Sequence, residues 1–249
     1  MYCLCNVYVF SHFFFLDGYM QVTPVQTPLS VTRPEMKTAR MICKVDGVDF
    51  SNNPIHWYRQ SPGAPPKRIL YMTSQSVSMD EGFNSNKFEA TRQNDKFTFK
   101  LDVHRLTSED AGTYYCAYWD LFGSGTKLIV TSKLCAEGPK IQILRLPPEQ
   151  DVNVTYLCLV ENFYPNVIKV NWESSEKNVE KNAVYGDIWP SDDNQTSYFV
   201  SSWLTIDKSH SKNYNCTYEH EMKKDSFPIE SQDCMLLRAV FYCLFLYSY

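Results

Sequence analysis

From position 97 the chain reads Phe97-Thr98-Phe99-Lys100-Leu101, apolar and polar in alternation, the period of a half-buried strand. Ile141-Gln142-Ile143-Leu144-Arg145 follows the same period less cleanly. Ser61-Pro62-Gly63-Ala64-Pro65-Pro66 and Ser191-Asp192-Asp193-Asn194 read as turns. No stretch has the spacing of a long amphipathic helix, so the predicted fold class is all-β. Two apolar runs depart from the alternation. Leu4 to Leu16 has the length of a signal-peptide core, although the first basic residue of the chain is Arg33. A leader is expected over residues 1–20, with mature sequence from near Gln21. Met235 to Tyr249 is apolar apart from Arg238. As a helix this tail spans about 22 Å, short of the ~30 Å hydrocarbon core of a bilayer. It reads as the start of a membrane span in a shortened product, or as an apolar tail.

An internal repeat organises the rest. Trp57 stands 14 positions after Cys43, and Cys116 stands 73 after it. Trp172 again stands 14 positions after Cys158, and Cys216 stands 58 after it. Each second cysteine has a tyrosine two residues earlier, Tyr114 and Tyr214. A sandwich of two sheets puts one cysteine on each sheet, bridging the ~10 Å gap, with a tryptophan from the next strand packed on the bridge. Tyr114 and Tyr214 share their cysteines' inward faces because strand side chains alternate. Each hydroxyl can then turn back to the backbone as a tyrosine corner. Two such sandwiches are expected, over 21–131 and 132–228, followed by a connecting and tail segment over 229–249.

Composition and charge narrow the function. The net charge is −4 with no basic block, which excludes a nucleic-acid footprint. The nine cysteines are too widely spaced for a zinc site and fit disulfides that close long loops in an oxidising compartment. Cys3 and Cys5 fall in the leader-like run; Cys135 and Cys243 have no assigned mate. The five histidines are scattered, and no G-x-S-x-G, H-E-x-x-H or phosphate loop occurs. No enzymatic activity, metal or cofactor is expected.

Trp57 to Gln60 (WYRQ), Glu109 to Cys116 (EDAGTYYC) and Phe122 to Val130 (FGSGTKLIV) resemble a variable immunoglobulin domain with its joining segment. Leu157 to Pro165 (LCLVENFYP), Val170 to Trp172 and Trp203 to Ile206 resemble a constant domain. The FGSGT form and the short loop before it are most similar to T-cell receptor gamma chains. The resemblance covers about Gln21 to Glu221. It implies an antigen-recognition subunit that catalyses nothing and pairs with a delta-like chain. The ligand would be a protein or a lipid-presenting molecule on a cell surface, and signals would pass through associated subunits. An immunoglobulin light chain and a non-clonal adhesion receptor are the alternatives. The tail beyond Cys234 disfavours the first, and FGSGT disfavours the second.

The resemblance also assigns residues. Gly123 and Gly125 would form a bulge that exposes Phe122. Tyr58, Gln60, Tyr115 and Phe122 would face the partner's variable domain. Lys87 and Asp110 would form an ion pair, and Tyr164-Pro165 matches a place where constant domains hold a cis peptide. The loops that gather at the binding end map to residues 48–54, 72–79 and 117–121. In the third, Tyr118, Trp119 and Asp120 are expected to face ligand, because aromatic side chains supply rigid contact area. Trp119 could instead pack on the partner. Cys234 would link to the partner chain, and Arg238 would dock acidic residues of signalling subunits. Asn153 and Asn194 open glycosylation acceptor sequences, Asn153 on an outward face by parity. Asn215 also opens one, but beside a disulfide in a central strand. The secretory pathway and cell surface are the expected location.

Overall fold

The computed structural model describes residues 23–47, 53–95, 97–131, 138–146, 153–191, 196–207, 209 and 214–229. Among them the chain forms nineteen strands and no α-helix. The first half holds β1 (Val25–Thr27), β2 (Ser30–Arg33), β3 (Ala39–Lys44), β4 (Ile55–Gln60), β5 (Lys67–Met72) and β6 (Val77–Met79). It continues with β7 (Phe88–Arg92), β8 (Thr98–Val103), β9 (Gly112–Tyr118), β10 (Leu121–Phe122) and β11 (Thr126–Val130). The second half holds β12 (Lys140–Arg145), β13 (Asn153–Phe163), β14 (Lys169–Ser174) and β15 (Val184–Tyr185). It ends with β16 (Trp189–Pro190), β17 (Tyr198–Asp207), β18 (Tyr214–His220) and β19 (Lys223–Pro228).

In the first sandwich, β1-β3-β8-β7 forms one sheet and β2-β11-β9-β4-β5-β6 the other, with β10 hydrogen-bonded to β9. In the second, β12-β13-β17-β15 faces β14-β18-β19, and β16 pairs with β17. The alternation of side chains decides which residues enter each core. Ala39, Met41 and Cys43 point inward from β3, and Ile55 and Trp57 from β4. A disulfide joins Cys43 to Cys116 with their Cα atoms 6.2 Å apart. A second joins Cys158 to Cys216 with a Cα separation of 6.4 Å. Closing loops of 73 and 58 residues removes unfolded-state entropy worth about 4 kcal/mol each.

Trp57 and Trp172 are fully buried, each in the cluster that holds its disulfide. The Trp172 indole N–H donates to Ser202 Oγ at 2.9 Å. Tyr114 is also fully buried, and its hydroxyl donates to the Asp110 carbonyl at 2.8 Å. Burial pushes its phenol well above the usual range. Tyr214 departs from the expected symmetry. It is only partly buried, packed against its cluster rather than within it. Its hydroxyl donates to the Glu180 carboxylate at 3.1 Å, not to backbone. A carboxylate within reach is the stronger acceptor, and it holds the ring at the margin of the sandwich.

Asp110, 4% exposed, pairs with Lys87 beneath the first sandwich. The same carboxylate accepts from the Thr107 amide at 2.7 Å and the Thr107 hydroxyl at 3.1 Å. Tyr164-Pro165 is cis, and so is Thr27-Pro28, which the sequence did not announce. The joining glycines divide their labour. Gly125 has φ +85°, open to glycine at little cost. Gly123 answers to space instead: a Cβ there would lie 2.9 Å from Gln26 Oε1 and 3.1 Å from Cys116 Sγ.

Candidate ligand tip and pairing faces

The candidate ligand tip is built on β9 and β10. Leu121 pairs with Tyr118 and Phe122 with Ala117, so only Trp119 and Asp120 turn the hairpin. Trp119 has φ +53°, a backbone conformation bulky side chains rarely adopt, and the residue is 66% exposed. Asp120 is exposed beside it. Tyr118 corrects the expectation that it faces ligand. At 9% exposure it belongs to the core cluster, because it follows Cys116 by two residues and shares its inward side. The segment 117–121 is therefore mostly strand with a two-residue tip. The loop at 73–76 is held by Thr73, whose hydroxyl accepts from the Ser76 amide at 3.0 Å. Residues 48–52 of the remaining loop lie outside the described residues.

The outward side of the same sheet gathers an aromatic group. Tyr58 and Tyr115 are directly opposite each other on β4 and β9. Phe122, 47% exposed, lies 5.3 Å from the Tyr58 ring and 6.4 Å from the Tyr115 ring, edge-on to the latter. The Tyr115 hydroxyl donates to Gln60 Oε1 at 3.2 Å, and Gln60 Nε2 donates to the Ala64 carbonyl at 3.1 Å. The four residues singled out from sequence thus form one patch in which Tyr115 and Gln60 hydrogen-bond to each other and to backbone. His56 continues it between Tyr58 and Tyr71, with ring centroids 6.4 and 6.2 Å away. Its Nδ1 is buried without a hydrogen-bond partner. Burial first, and then the Arg68 charge, lower its pKa, so the ring is neutral at physiological pH.

A second face went unnoticed in the sequence. Across β12, β13, β17 and β15, Leu144, Leu157, Trp203 and Val184 fall into one cross-strand row. Leu157 adjoins Cys158, so the row points away from the disulfide, out of the sandwich, although Leu157 itself is only 5% exposed and Leu144 and Trp203 are half-buried. Val184 is 61% exposed. Leu159 and the Phe199–Trp189 pair extend the same outer surface, with Trp189 57% exposed. The signal was present: β13 carries Val154, Tyr156, Cys158 and Val160 inward and Leu157 and Leu159 outward. A strand apolar on both faces has something to cover on each. Gln26 was missed as well. Buried in the first sandwich, it donates to the Tyr114 carbonyl at 2.7 Å and accepts from the Cys116 amide at 3.0 Å, joining the two sheets.

Among the described residues no group of His, Cys, Asp and Glu could hold a metal ion. Asn153 is exposed at the start of β13. Residues 1–20, Cys135, Asn194, Cys234, Arg238 and Cys243 lie outside the described residues.

Residues 26–131 match the immunoglobulin V-set domain family and residues 141–223 the immunoglobulin C1-set domain family. A mouse T-cell receptor gamma chain V region is 36% identical over 113 residues, covering 42% of this chain and 84% of the relative. A human relative, described as a probable non-functional T cell receptor gamma variable 10, is 31% identical over 119 residues. That alignment spans 47% of this chain and 98% of the relative. A solved marsupial T cell receptor matches both sandwiches, with 34% identity and a TM-score of 0.70. It aligns over 84% of this chain and 99% of its own. The chain belongs to the T-cell receptor group of the immunoglobulin superfamily. Its variable half is homologous to gamma V regions, and the gamma likeness is confined to that half. This T-cell receptor-like chain comes from a non-enzymatic family and implies a partner receptor chain. Its disulfide-bonded domains suggest an extracellular or secretory-pathway protein. No helix among the described residues is long and apolar enough to cross a membrane.

Proposed function

We propose that this chain is the gamma-like, antigen-recognition subunit of a heterodimeric T-cell receptor, paired with a delta-like chain. The observation that carries the reading is the aromatic group on the outer side of the β4–β9 sheet, where half-buried Tyr58 and Tyr115 flank exposed Phe122. Aromatic side chains dominate the centres of protein interfaces, and charged ones are depleted there. With Tyr115 and Gln60 already hydrogen-bonded within the chain, those two residues lose little on desolvation. The outer face of the second sandwich, with Trp203 half-buried and Val184 and Trp189 exposed, supplies a second apolar contact for the partner's constant domain.

Ligand meets the tip through Trp119 and Asp120, held by a hairpin too short to rearrange freely. The protein reaches the cell surface, where Cys234 forms the interchain disulfide and Arg238 docks the signalling subunits. Asn153 and Asn194 carry glycans. Co-expression of the full chain with a delta-like chain, read on a non-reducing gel, tests the pairing. A covalent heterodimer that is lost on Cys234→Ser, and whose assembly falls on Phe122→Ala, supports it. Pairing only with an immunoglobulin heavy chain would replace it with the light-chain reading.

A further inference from the structure

Asn153 is the first residue of β13, and the outward residues of that strand are Asn153, Thr155, Leu157 and Leu159. Thr155 and its cross-strand neighbour Thr205 touch through their hydroxyls at 2.9 Å, which fixes this side as their common face. The acceptor asparagine therefore stands on the same outer face as the apolar row, not on the opposite sheet. The face changes character along the strand. It is polar at Asn153–Asp207 and Thr155–Thr205, and apolar at Leu157–Trp203. At about 3.4 Å per residue, Asn153 lies about 14 Å from Leu157 along β13. Asn153 is exposed, so its amide is open to the glycosylating machinery.

We propose that an N-linked glycan on Asn153 sets the edge of the constant-domain pairing face. It confines the partner's footprint to the apolar row and the surface beyond it, toward Leu159 and Trp189. The proposal rests on the pairing reading above. The donor is a lipid-pyrophosphate-linked oligosaccharide of the secretory lumen. Transfer forms a bond from Asn153 Nδ2 to the anomeric carbon of the first sugar and breaks that carbon's bond to the pyrophosphate oxygen. The lipid pyrophosphate leaves, and one amide proton is released. A hydrated glycan at this position cannot lie under a packed interface, because burying its hydroxyls without partners is unfavourable. It can flank one. Partner side chains then end near the Thr155–Thr205 pair, where the apolar surface itself ends.

The test moves the sugar. Leu159→Asn with Glu161→Thr creates an acceptor sequence inside the proposed footprint, and Leu159→Asn with Glu161→Ala is the control that lacks it. Each chain is co-expressed with the delta-like chain in secretory cells. Heterodimer is captured through the partner, and glycan occupancy is read by peptide mass. The unaltered chain is expected to be glycosylated at Asn153 within the captured heterodimer. The displaced acceptor is expected to lower heterodimer recovery about tenfold or more relative to its acceptor-free control. Three results overturn the proposal: an Asn153 glycan found only on unpaired chain, no glycan on either form, or full recovery with a glycan at position 159. Failure of the unaltered chain to pair would instead remove the pairing reading itself, a distinct outcome.

Discussion

Substituting Asp110 by alanine tests how much of the variable sandwich depends on one buried carboxylate. The substitution removes the partner of Lys87, whose side chain is only 22% exposed, and frees the Thr107 amide and hydroxyl. Removing one member of a buried pair costs about 3–5 kcal/mol, because the other charge is left uncompensated. Lys87 recovers some hydration and still donates to the Arg105 carbonyl at 2.8 Å. The expected loss is therefore near the lower bound, about 3 kcal/mol. With a urea m-value of about 2 kcal/mol/M, the unfolding midpoint of the first sandwich falls by roughly 1.5 M. Denaturation of the full chain, followed by hydrogen exchange of peptides from β9 and β13, separates the two sandwiches. Only β9 should lose protection early. Lys87→Ala and the double variant complete a cycle whose coupling should exceed about 1 kcal/mol. A midpoint shift below roughly 0.5 M, or no coupling in the cycle, would refute the assigned importance of the pair.

Other outcomes follow from the same geometry. Gly125→Ala forces an L side chain to φ +85° with its Cβ 2.7 Å from the Tyr115 ring. It should destabilise the fold by about 1–3 kcal/mol in thermal unfolding. Trp203→Ser should lower heterodimer recovery in the partner capture assay with little change in ligand contact at the tip, since Trp203 lies on the outer face of the other sandwich. His220 is buried and donates from Nε2 to the Pro165 carbonyl at 3.1 Å. Burial lowers its pKa below 6.5, so the unfolded chain binds the proton more readily than the folded one. Its contribution is complete above about pH 6.5 and is lost as pH falls from there toward the folded-state pKa. A stability–pH profile of the constant sandwich should slope downward in that window, and His220→Gln should flatten it.

The spacing of cysteines, tryptophans and tyrosines made two sandwiches legible because a disulfide across two sheets fixes both the period and the face of its neighbours. The outward sense of Tyr58 and Tyr115 was legible for the same reason: Tyr58 is one residue from Trp57, and Tyr115 one from Cys116. Where a residue's fate depends on chain beyond its own strand, the local pattern failed. Tyr118 was assigned to a loop, yet pairing with Leu121 prolongs β9 and carries the residue into the core. Tyr214 repeats the Tyr-x-Cys spacing of Tyr114, but Glu180, 34 residues away, captures its hydroxyl.

Local sequence thus determined the fold class, the two disulfides and the inward or outward sense of the residues beside them, because strand alternation is a property of neighbouring residues. The tertiary structure alone decided that the β9–β10 turn is two residues long and that Gln26 joins the sheets. It also decided that Leu144, Leu157, Trp203 and Val184 fall into one cross-strand row that shares its face with Asn153. Those relations join positions tens of residues apart, and only the register of the assembled sheets brings them together.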